Sequence, residues 1–247
     1  MTVPAAYFIC TSPRSGSTLL CTLLRDTGVA GHPKSYFHRP TLEAWRAGLD
    51  LPADTPLPDI IETARIAGQG ATALFGLRLQ RHSAAFFLDQ LRALHPNLPT
   101  DTARIEATFG ETRYIHLTRQ DKVAQAVSLI RAEQSGLWHR NADGSELERT
   151  APPEALHYDH DAIADQIAEF ERFDAEWTAW FADQNITPLV ITYDDLSRDP
   201  SSELKRALTH LGLPQSHAAP VTPAVAKLAD DTNRAWIERY RSAQPKT

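Results

Sequence analysis

One segment near the start of the chain constrains the fold more than any other: an apolar run, a polar loop and a helix follow one another without a gap. Ala6–Cys10 has the sequence AYFIC, which is typical of a strand buried on both faces of a parallel sheet. The loop TSPRSGS follows it, and the leucine spacing predicts a helix over Thr18–Thr27 with Gly28 as its stop. The segment therefore predicts a strand–loop–helix unit with its loop at the carboxyl end of a buried strand.

Three further stretches repeat this order of strand and helix. Strands are predicted over Ala73–Leu79, Arg113–Thr118 and Pro188–Thr192. The helices after them are predicted to begin at a Ser83 cap, at about Asp121 and at Asp199-Pro200, and the longest helix of the chain is predicted over Asp161–Asp183. This repetition is typical of an α/β fold in which helices flank a parallel sheet. The stretches Leu51–Pro58 and Asn141–Pro153 are expected to be surface loops, so residues 1–247 are predicted to form a single domain.

Composition excludes several classes of protein. The chain has 25 basic and 31 acidic residues, a net charge of −6, which argues against general nucleic-acid binding because that requires a broad basic face. The N-terminus lacks a basic region followed by a long apolar run, and no stretch approaches the roughly 18 apolar residues of a membrane span. Two isolated cysteines, Cys10 and Cys21, indicate a reducing compartment. We therefore expect a cytoplasmic protein whose anion site, if it has one, is local.

Metal binding is not predicted either. His157 and His160 have the spacing of two ligands on one helix face, but their acidic setting is more typical of a solvated junction between a loop and a helix.

The loop after the first predicted strand has the chemistry of an anion site. Gly16 allows backbone angles that turn successive N–H groups into one concavity, and the helix that follows directs its free N–H groups and about half a positive charge at the same place. Ser15, Ser17 and Thr18 add hydroxyl donors, and Arg14 adds a guanidinium group. These groups suit a phosphate or a sulfate. The alternative is a Ser/Gly-rich turn that carries an exposed arginine.

The loop differs from that of a magnesium-dependent nucleotidase. The GxxxxGK[ST] motif requires a lysine directly before the Ser/Thr, whereas the basic residue here precedes the glycine. No aspartate at a strand end is placed to hold Mg²⁺. Use of ATP or GTP with magnesium is therefore disfavoured.

A second basic position follows the third predicted strand. Arg119 comes directly after that strand, at the edge where open α/β sheets bind ligands, and Ser128 lies about two and a half helical turns further on. Together they could hold a second phosphate beside the first loop. The alternative is an Arg119 that pairs with Asp121.

These two pieces resemble the 5′-phosphosulfate loop and the 3′-phosphate site of sulfotransferases that use 3′-phosphoadenosine 5′-phosphosulfate (PAPS). Longer blocks, among them YFICTSPRSGSTLLCTLLRDTGVAGHPKSYF, LTRQDKVAQAVSLIRAEQSGLWH and NRAWIERYR, resemble the bacterial trehalose 2-sulfotransferase family. The matching blocks keep their order and lie at about residues 6–37, 74–80, 113–139, 188–196 and 230–241. The resemblance implies a P-loop-like sulfotransferase fold, a small-molecule hydroxyl acceptor such as a sugar, and a homodimer.

The same resemblance implies roles for individual residues. The 5′-phosphosulfate would be held by the loop residues Arg14, Ser15, Gly16, Ser17 and Thr18. Arg119 and Ser128 would hold the 3′-phosphate, and Arg14 would also meet the charge that develops on the leaving 5′-phosphate. The C-terminal segment around Arg234, Trp236 and Arg239 would cover the nucleotide, with the Trp138 region lining the acceptor site and Tyr193–Leu196 structural.

The chain departs from the family pattern at the catalytic base. The family has a glutamate two residues after the proline of a GEPxEFF-like stretch, and Ser35 occupies that position here, with His32 at the place of the earlier glutamate. A serine cannot act as a base near neutral pH, whereas an imidazole titrates near pH 6.5. His32 is therefore the first candidate and His38 the second, with a residue elsewhere or no base as alternatives. Arg78 is a further departure, because the family tends to have lysine there.

Three functions follow from these features. The first is a sulfotransferase that moves a sulfuryl group from PAPS to a hydroxyl of a carbohydrate or another small molecule, with the adenosine bisphosphate PAP as product and without a metal. The second is a protein that binds PAPS or PAP with lost or altered catalysis, because Ser35 replaces the expected glutamate. The third is an unrelated P-loop kinase.

Overall fold

The computed structural model describes residues 2–141, 145–152, 154–219, 221, 225–226 and 231–244. The strands are β1 Ala6–Thr11, β2 Phe75–Gln80, β3 Thr112–Thr118, β4 Leu137–Asn141, β5 Glu146–Arg149, β6 Leu189–Thr192 and β7 Val225–Ala226. The helices of the first half are α1 Ser17–Asp26, α2 Leu42–Gly48, α3 Leu57–Gln69, α4 Arg81–Leu94 and α5 Asp101–Phe109. Those of the second half are α6 Lys122–Ser135, α7 His160–Asp183, α8 Tyr193–Arg198, α9 Pro200–His210 and α10 Asp231–Ala243, with a 3₁₀ turn over Gln215–Ala218.

A four-stranded parallel sheet with the order β2-β1-β3-β6 forms the centre of the fold. Every residue of β1 is buried, as its apolar sequence predicts. Thr11, the last residue of β1, lies opposite Gln80 of β2 and Leu117 of β3. The loops that follow these three strands therefore leave the sheet at nearly the same level.

Alternate side chains of β1 face two different hydrophobic cores. Phe8 packs with Phe75, Phe87 and Phe109 on the face covered by α4, α5 and α7. Ile9 belongs to the core on the other face, which α1 and α9 cover. Helices on both faces confirm the predicted α/β class, and they leave the carboxyl edge of the sheet as the place where loops from different strands can meet.

The structure corrects two local predictions. Ser83 does not cap α4, because the helix begins at Arg81 and the Ser83 hydroxyl donates to the Gln80 carbonyl from within the first turn. The stretch Asn141–Pro153 is more than a surface loop, because it contains the end of β4 and all of β5, and these strands pair antiparallel. Residues 142–144 and 153 lie outside the described part of the chain.

A small antiparallel sheet of order β5-β4-β7 accompanies the main one. Within the described part of the chain, no helix has both the length and the apolar composition that crossing a bilayer requires.

Candidate active site

The loop between β1 and α1 contains two residues with left-handed backbone angles. Gly16, with φ of +85°, precedes the first residue of α1, and Arg14 has φ of +61° although it carries a side chain. A non-glycine residue in this region stores strain that the surrounding structure must compensate, and such strain is common where a loop binds a ligand. The free N–H groups in the first turn of α1 therefore lie directly after this strained loop, an arrangement that suits an anion.

Neighbouring elements hold this loop in place. The Trp177 indole on α7 donates to the Thr11 carbonyl at 3.0 Å, and the Gln125 amide on α6 donates to the Pro13 carbonyl at 2.7 Å. The Ser15 hydroxyl donates to the Ser12 carbonyl at 2.8 Å and is fully buried. Ser15 was expected to offer its hydroxyl to an anion, but the hydroxyl is used to close the loop, so only the backbone N–H of this residue remains for a ligand.

The two basic positions found in the sequence meet in space. Nη1 of Arg119 lies 3.3 Å from the Arg14 carbonyl oxygen, and Nε of Arg14 donates to the Ser128 hydroxyl at 3.0 Å. Asp121, the alternative partner of Arg119, instead caps α6 through the Ala124 N–H. One nucleotide with phosphates at both ends could therefore contact both arginines.

The electrostatic surroundings of the two arginines favour an anion. Burial, and after it the nearby Arg119, lower the pKa of Arg14 to about 10. Burial also lowers the pKa of Arg119, whose Nε is buried without a hydrogen-bond partner among the described residues. Both groups remain charged at neutral pH, and two desolvated cations at short range are stabilised by a bound negative charge.

The carboxyl ends of all four parallel strands contribute to one cavity of about 560 Å³. Arg14 follows β1, His82 follows β2, Arg119 follows β3 and Tyr193 follows β6, and all four side chains line it. The Arg119 guanidinium lies over the Tyr193 ring at 4.3 Å, and a Cβ atom on Gly16 would lie 2.7 Å from that ring. Tyr193 thus lies beside both Arg119 and Gly16 of the loop, on the wall of the cavity.

Arg78 links the loop to Ser35, the position where the resemblance implies a glutamate base. Its Nη1 donates to the Thr18 hydroxyl at 2.9 Å, and its Nε donates to the Ser35 hydroxyl at 2.7 Å. The Ser35 hydroxyl donates in turn to the Arg78 carbonyl at 3.2 Å. Ser35 is therefore held as a hydrogen-bonding partner of a cation, a setting that opposes the acceptance of a further proton.

The three histidines near this region occupy different places. His32 is exposed, its backbone N–H donates to the Gly68 carbonyl at 2.7 Å, and its ring packs beside Gly70, away from the residues that line the cavity. His38 and His82 do line the cavity, with ring centroids 5.0 Å apart. The sequence placed His32 first, but of these two candidates His38 lies on the cavity wall and His32 does not.

The C-terminal helix reaches the cavity with other residues than those expected. Asn233 and Ile237 line the cavity, whereas the Arg239 guanidinium lies 3.9 Å over the Tyr158 ring and is not among the lining residues. The periodicity of the segment could have identified Asn233, because helical spacing relates it to Trp236, Ile237 and Tyr240. His82 and Tyr193 could have been found by applying to β2 and β6 the strand-end argument that identified Arg119.

No group of three potential ligands among the described residues is arranged to hold a metal ion. His160 is the first residue of α7, and its ring stacks on Tyr240 with centroids 4.7 Å apart.

Comparisons with known proteins give a consistent result. The family model described as Stf0 sulphotransferase matches residues 6–243. The chain is 30% identical over 264 aligned positions to the trehalose 2-sulfotransferase of Mycobacterium tuberculosis (strain ATCC 35801 / TMC 107 / Erdman), covering 97% of this chain and 96% of the relative. It is 28% identical to the trehalose 2-sulfotransferase of Mycolicibacterium smegmatis, covering 96% and 95%. Among solved structures, the sulfotransferase domain from the Synechococcus PCC 7002 olefin synthase matches with a TM-score of 0.50 at 19% identity, covering 100% of this chain and 91% of that one, which shows a shared fold.

Proposed function

Because the chain belongs to the Stf0 sulphotransferase family and is an enzyme, we propose that it transfers a sulfuryl group from PAPS to a hydroxyl of a carbohydrate. The observation that supports the donor most directly is the convergence of Arg14 and Arg119 on one cavity from two different strands. PAPS carries a phosphosulfate at the 5′ position of its ribose and a phosphate at the 3′ position. A protein that binds PAPS therefore needs two anion sites within a few ångströms of each other.

The donor would be held by groups from both parts of the site. The N–H groups of Ser15, Gly16, Ser17 and Thr18, together with Arg14, would bind the 5′-phosphosulfate. Arg119 and Ser128 would bind the 3′-phosphate. These two sets of ligands touch in the structure, since Arg14 donates to Ser128 and also, at 2.7 Å, to the Trp138 carbonyl. Binding of the donor would exchange these contacts for contacts to its oxygens.

Asn233 and Ile237 are the residues of α10 best placed to contact the nucleotide, because both line the cavity. The guanidinium of Arg239 would support this helix through its contact with Tyr158. The resemblance implies that Arg239 binds the nucleotide. We propose instead that Arg239 holds α10 in position.

The transfer itself would proceed at the end of the loop. A lone pair of the acceptor oxygen attacks sulfur, the bond between sulfur and the bridging oxygen breaks, and its electron pair stays on the 5′-phosphate of PAP. Arg14 and the amides of α1 would stabilise the charge that grows on this leaving group, and they act strongly because they are withdrawn from water. The proton of the acceptor hydroxyl must pass to a base.

The remaining wall of the cavity has groups that suit a hydroxyl-rich acceptor. Glu133, Gln166 and Glu169 line it together with Trp138, and the Gln166 amide donates to Glu169 at 2.9 Å. Burial raises the pKa of Glu133, with Glu169 as the second cause. Carboxylate and amide groups bind hydroxyls from several directions, and an indole face packs against the apolar side of a sugar. Such an acceptor agrees with the relatives' names. We also propose that residues 1–247 form a single domain, and that two copies of this domain form a homodimer.

Ligand-dependent stability tests the donor. PAP at about 100 times its Kd should raise the unfolding free energy by roughly 2.7 kcal/mol, on the order of 5–10 °C in Tm for a chain of this size. A shift with Mg-ATP and none with PAP would remove the proposal. Transfer of radiolabelled sulfate from PAPS to a panel of sugars and phenols, beginning with trehalose, then tests the reaction, and PAP binding without transfer to any acceptor would leave a nucleotide-binding protein.

Substitution of Arg119 tests the 3′-phosphate site. Hydrogen bonds to a charged group contribute about 1.5–3 kcal/mol, so Arg119→Met should weaken PAP about 10–150-fold. AMP, which has no 3′-phosphate, should bind both proteins equally. Arg65→Met, which removes a partly exposed arginine paired with Glu62 on α3, is the matched control. Equal losses for PAP and AMP would place Arg119 outside the 3′-phosphate site.

A further inference from the structure

The cavity contains a histidine pair that the roles described so far do not use. His82 is the second residue of α4, directly beyond the end of β2, and His38 lies in the segment between α1 and α2. Their rings meet edge to face with centroids 5.0 Å apart, and both line the cavity. Gln80, two residues before His82, lies opposite Thr11, the residue that leads into the anion loop. The pair therefore lies beside the place where the proposed transfer occurs.

The transfer needs a proton acceptor, and Ser35 is not suited to that role. Its hydroxyl accepts from Arg78 and donates to the Arg78 carbonyl, so both of its hydrogen-bonding functions are engaged with this residue. A positive charge at this distance also opposes proton uptake. The acceptor of the proton must therefore come from another part of the cavity wall.

The two histidines differ in what surrounds them. His38 faces cations: His82, Arg78 and Arg39 all lower its pKa, in addition to the larger effect of burial, to about 4. His82 also has a pKa lowered by burial, but hydrogen bonding to the His38 backbone and the charge of Glu169 on α7 both raise it. Protonated His38 is therefore destabilised by its neighbours, whereas protonated His82 is stabilised by two of its own.

The edge-to-face packing against the His38 ring also restrains the ring of His82. A backbone group that stabilises protonated histidine must be a carbonyl oxygen, because only an acceptor interacts favourably with a ring N–H. If one ring nitrogen of His82 donates to this oxygen, the other retains its lone pair. A base oriented by a third group in this way is the arrangement found where a histidine activates a hydroxyl.

We propose that His82 is the catalytic base of this enzyme, and that its second ring nitrogen takes the proton of the acceptor hydroxyl. The inference rests on the proposed function. In the balanced step, the acceptor oxygen forms a bond to sulfur as its O–H bond breaks and the proton moves to His82. The bond from sulfur to the 5′-phosphate oxygen breaks, PAP leaves with that electron pair, and the imidazolium later releases the proton to water. The His38 carbonyl and Glu169 stabilise the imidazolium while it exists.

Glu133 is the competing base on the cavity wall, because its raised pKa also favours proton uptake. It lies on α6, which faces the anion loop from the side of Ser128, whereas His82 follows the strand next to the loop. Glu169 is less suited, since it accepts from Gln166 at 2.9 Å and pairs with Arg172 at 3.4 Å.

The experiment compares His82→Gln, His38→Asn, Glu133→Gln and His157→Gln, an exposed histidine outside the cavity, with the wild-type enzyme. For each protein, kcat is measured with labelled PAPS and the best sugar of the acceptor panel, and the Kd of PAP is measured in parallel. Loss of a general base lowers kcat by about 10²–10⁴-fold, so we expect this for His82→Gln with PAP affinity within about twofold of wild type. His38→Asn keeps its backbone carbonyl, and we expect it to lose less than about tenfold in kcat.

The pH dependence of kcat/KM gives a second readout that a purely structural role would not change. Wild-type enzyme should lose activity on the acid side as free His82 is protonated, at a pH below that of an ordinary histidine, and this acid limb should be absent in His82→Gln. The proposal is overturned if His82→Gln retains more than about a third of wild-type kcat or keeps the acid limb. It is also overturned if Glu133→Gln or His38→Asn lowers kcat more than His82→Gln does. Wild-type enzyme that binds PAP but transfers sulfate to no acceptor would instead refute the proposed function.

Discussion

Substitution of Gly16 by alanine tests whether the loop conformation forms the anion site. A left-handed residue other than glycine costs about 1–2 kcal/mol, and Gly16 has φ of +85°. The new Cβ would also lie 2.7 Å from the Tyr193 ring, which must then move from beneath the Arg119 guanidinium, a contact of about 0.5–2 kcal/mol. The sum is about 1.5–4 kcal/mol of unfolding free energy, on the order of 3–15 °C in Tm for a chain of this size.

Two other glycines separate these contributions. Gly28 also has a left-handed φ of +71°, but a Cβ there meets nothing within 4 Å, so Gly28→Ala should show the backbone effect alone. Gly48 ends α2 without a left-handed angle and has open space, so Gly48→Ala should leave the stability unchanged or raise it by up to about 1 kcal/mol.

Binding of PAP is the decisive measurement, because Gly16 is the only one of these three glycines that lies in the loop. Thermal unfolding and PAP titration of the three variants should show an affinity loss of about tenfold or more for Gly16→Ala, equivalent to at least one charge-assisted hydrogen bond, and none for the others. The reasoning is refuted if Gly16→Ala binds PAP within about twofold of wild type and unfolds no earlier than Gly28→Ala.

Two further predictions concern the wall formed by Arg78 and His38. Arg78→Lys should lose one of its hydrogen bonds to Ser35 and Thr18, about 0.5–1.5 kcal/mol, and lower Tm by a few degrees relative to the exposed Arg92→Lys; equal Tm values for the two variants would contradict the bridge. The folded state holds the pKa of His38 at about 4, below the ordinary value, so the unfolded chain takes up the proton first and the unfolding free energy should fall as pH decreases from about 6.5 toward 4. Urea unfolding at pH 7.5 and 5 should show a smaller decrease for His38→Asn, and identical decreases in the two proteins would show that His38 is not the group responsible.

The site was predictable from the sequence where a residue is placed by its immediate neighbours. A buried strand followed by a glycine turn and a helix fixes where Arg14 and Gly16 lie, because backbone angles and helix N–H groups are properties of a few consecutive residues. Arg119 was found because every parallel strand delivers the residue after it to the same edge of the sheet. The same rule applies to His82 after β2 and to Tyr193 after β6.

The sequence by itself determined the class of fold and the family, since apolar periodicity, turn residues and the order of the motif blocks are all local or linear properties. Only the tertiary structure decided which histidine faces the cavity and that Arg78 holds Ser35 beside Thr18. These outcomes depend on the register of β2 against β1 and on contacts between residues up to 60 positions apart, as for Thr18 and Arg78. Such contacts are settled by the packing of whole elements, so the local chain around each residue contains no signal for them.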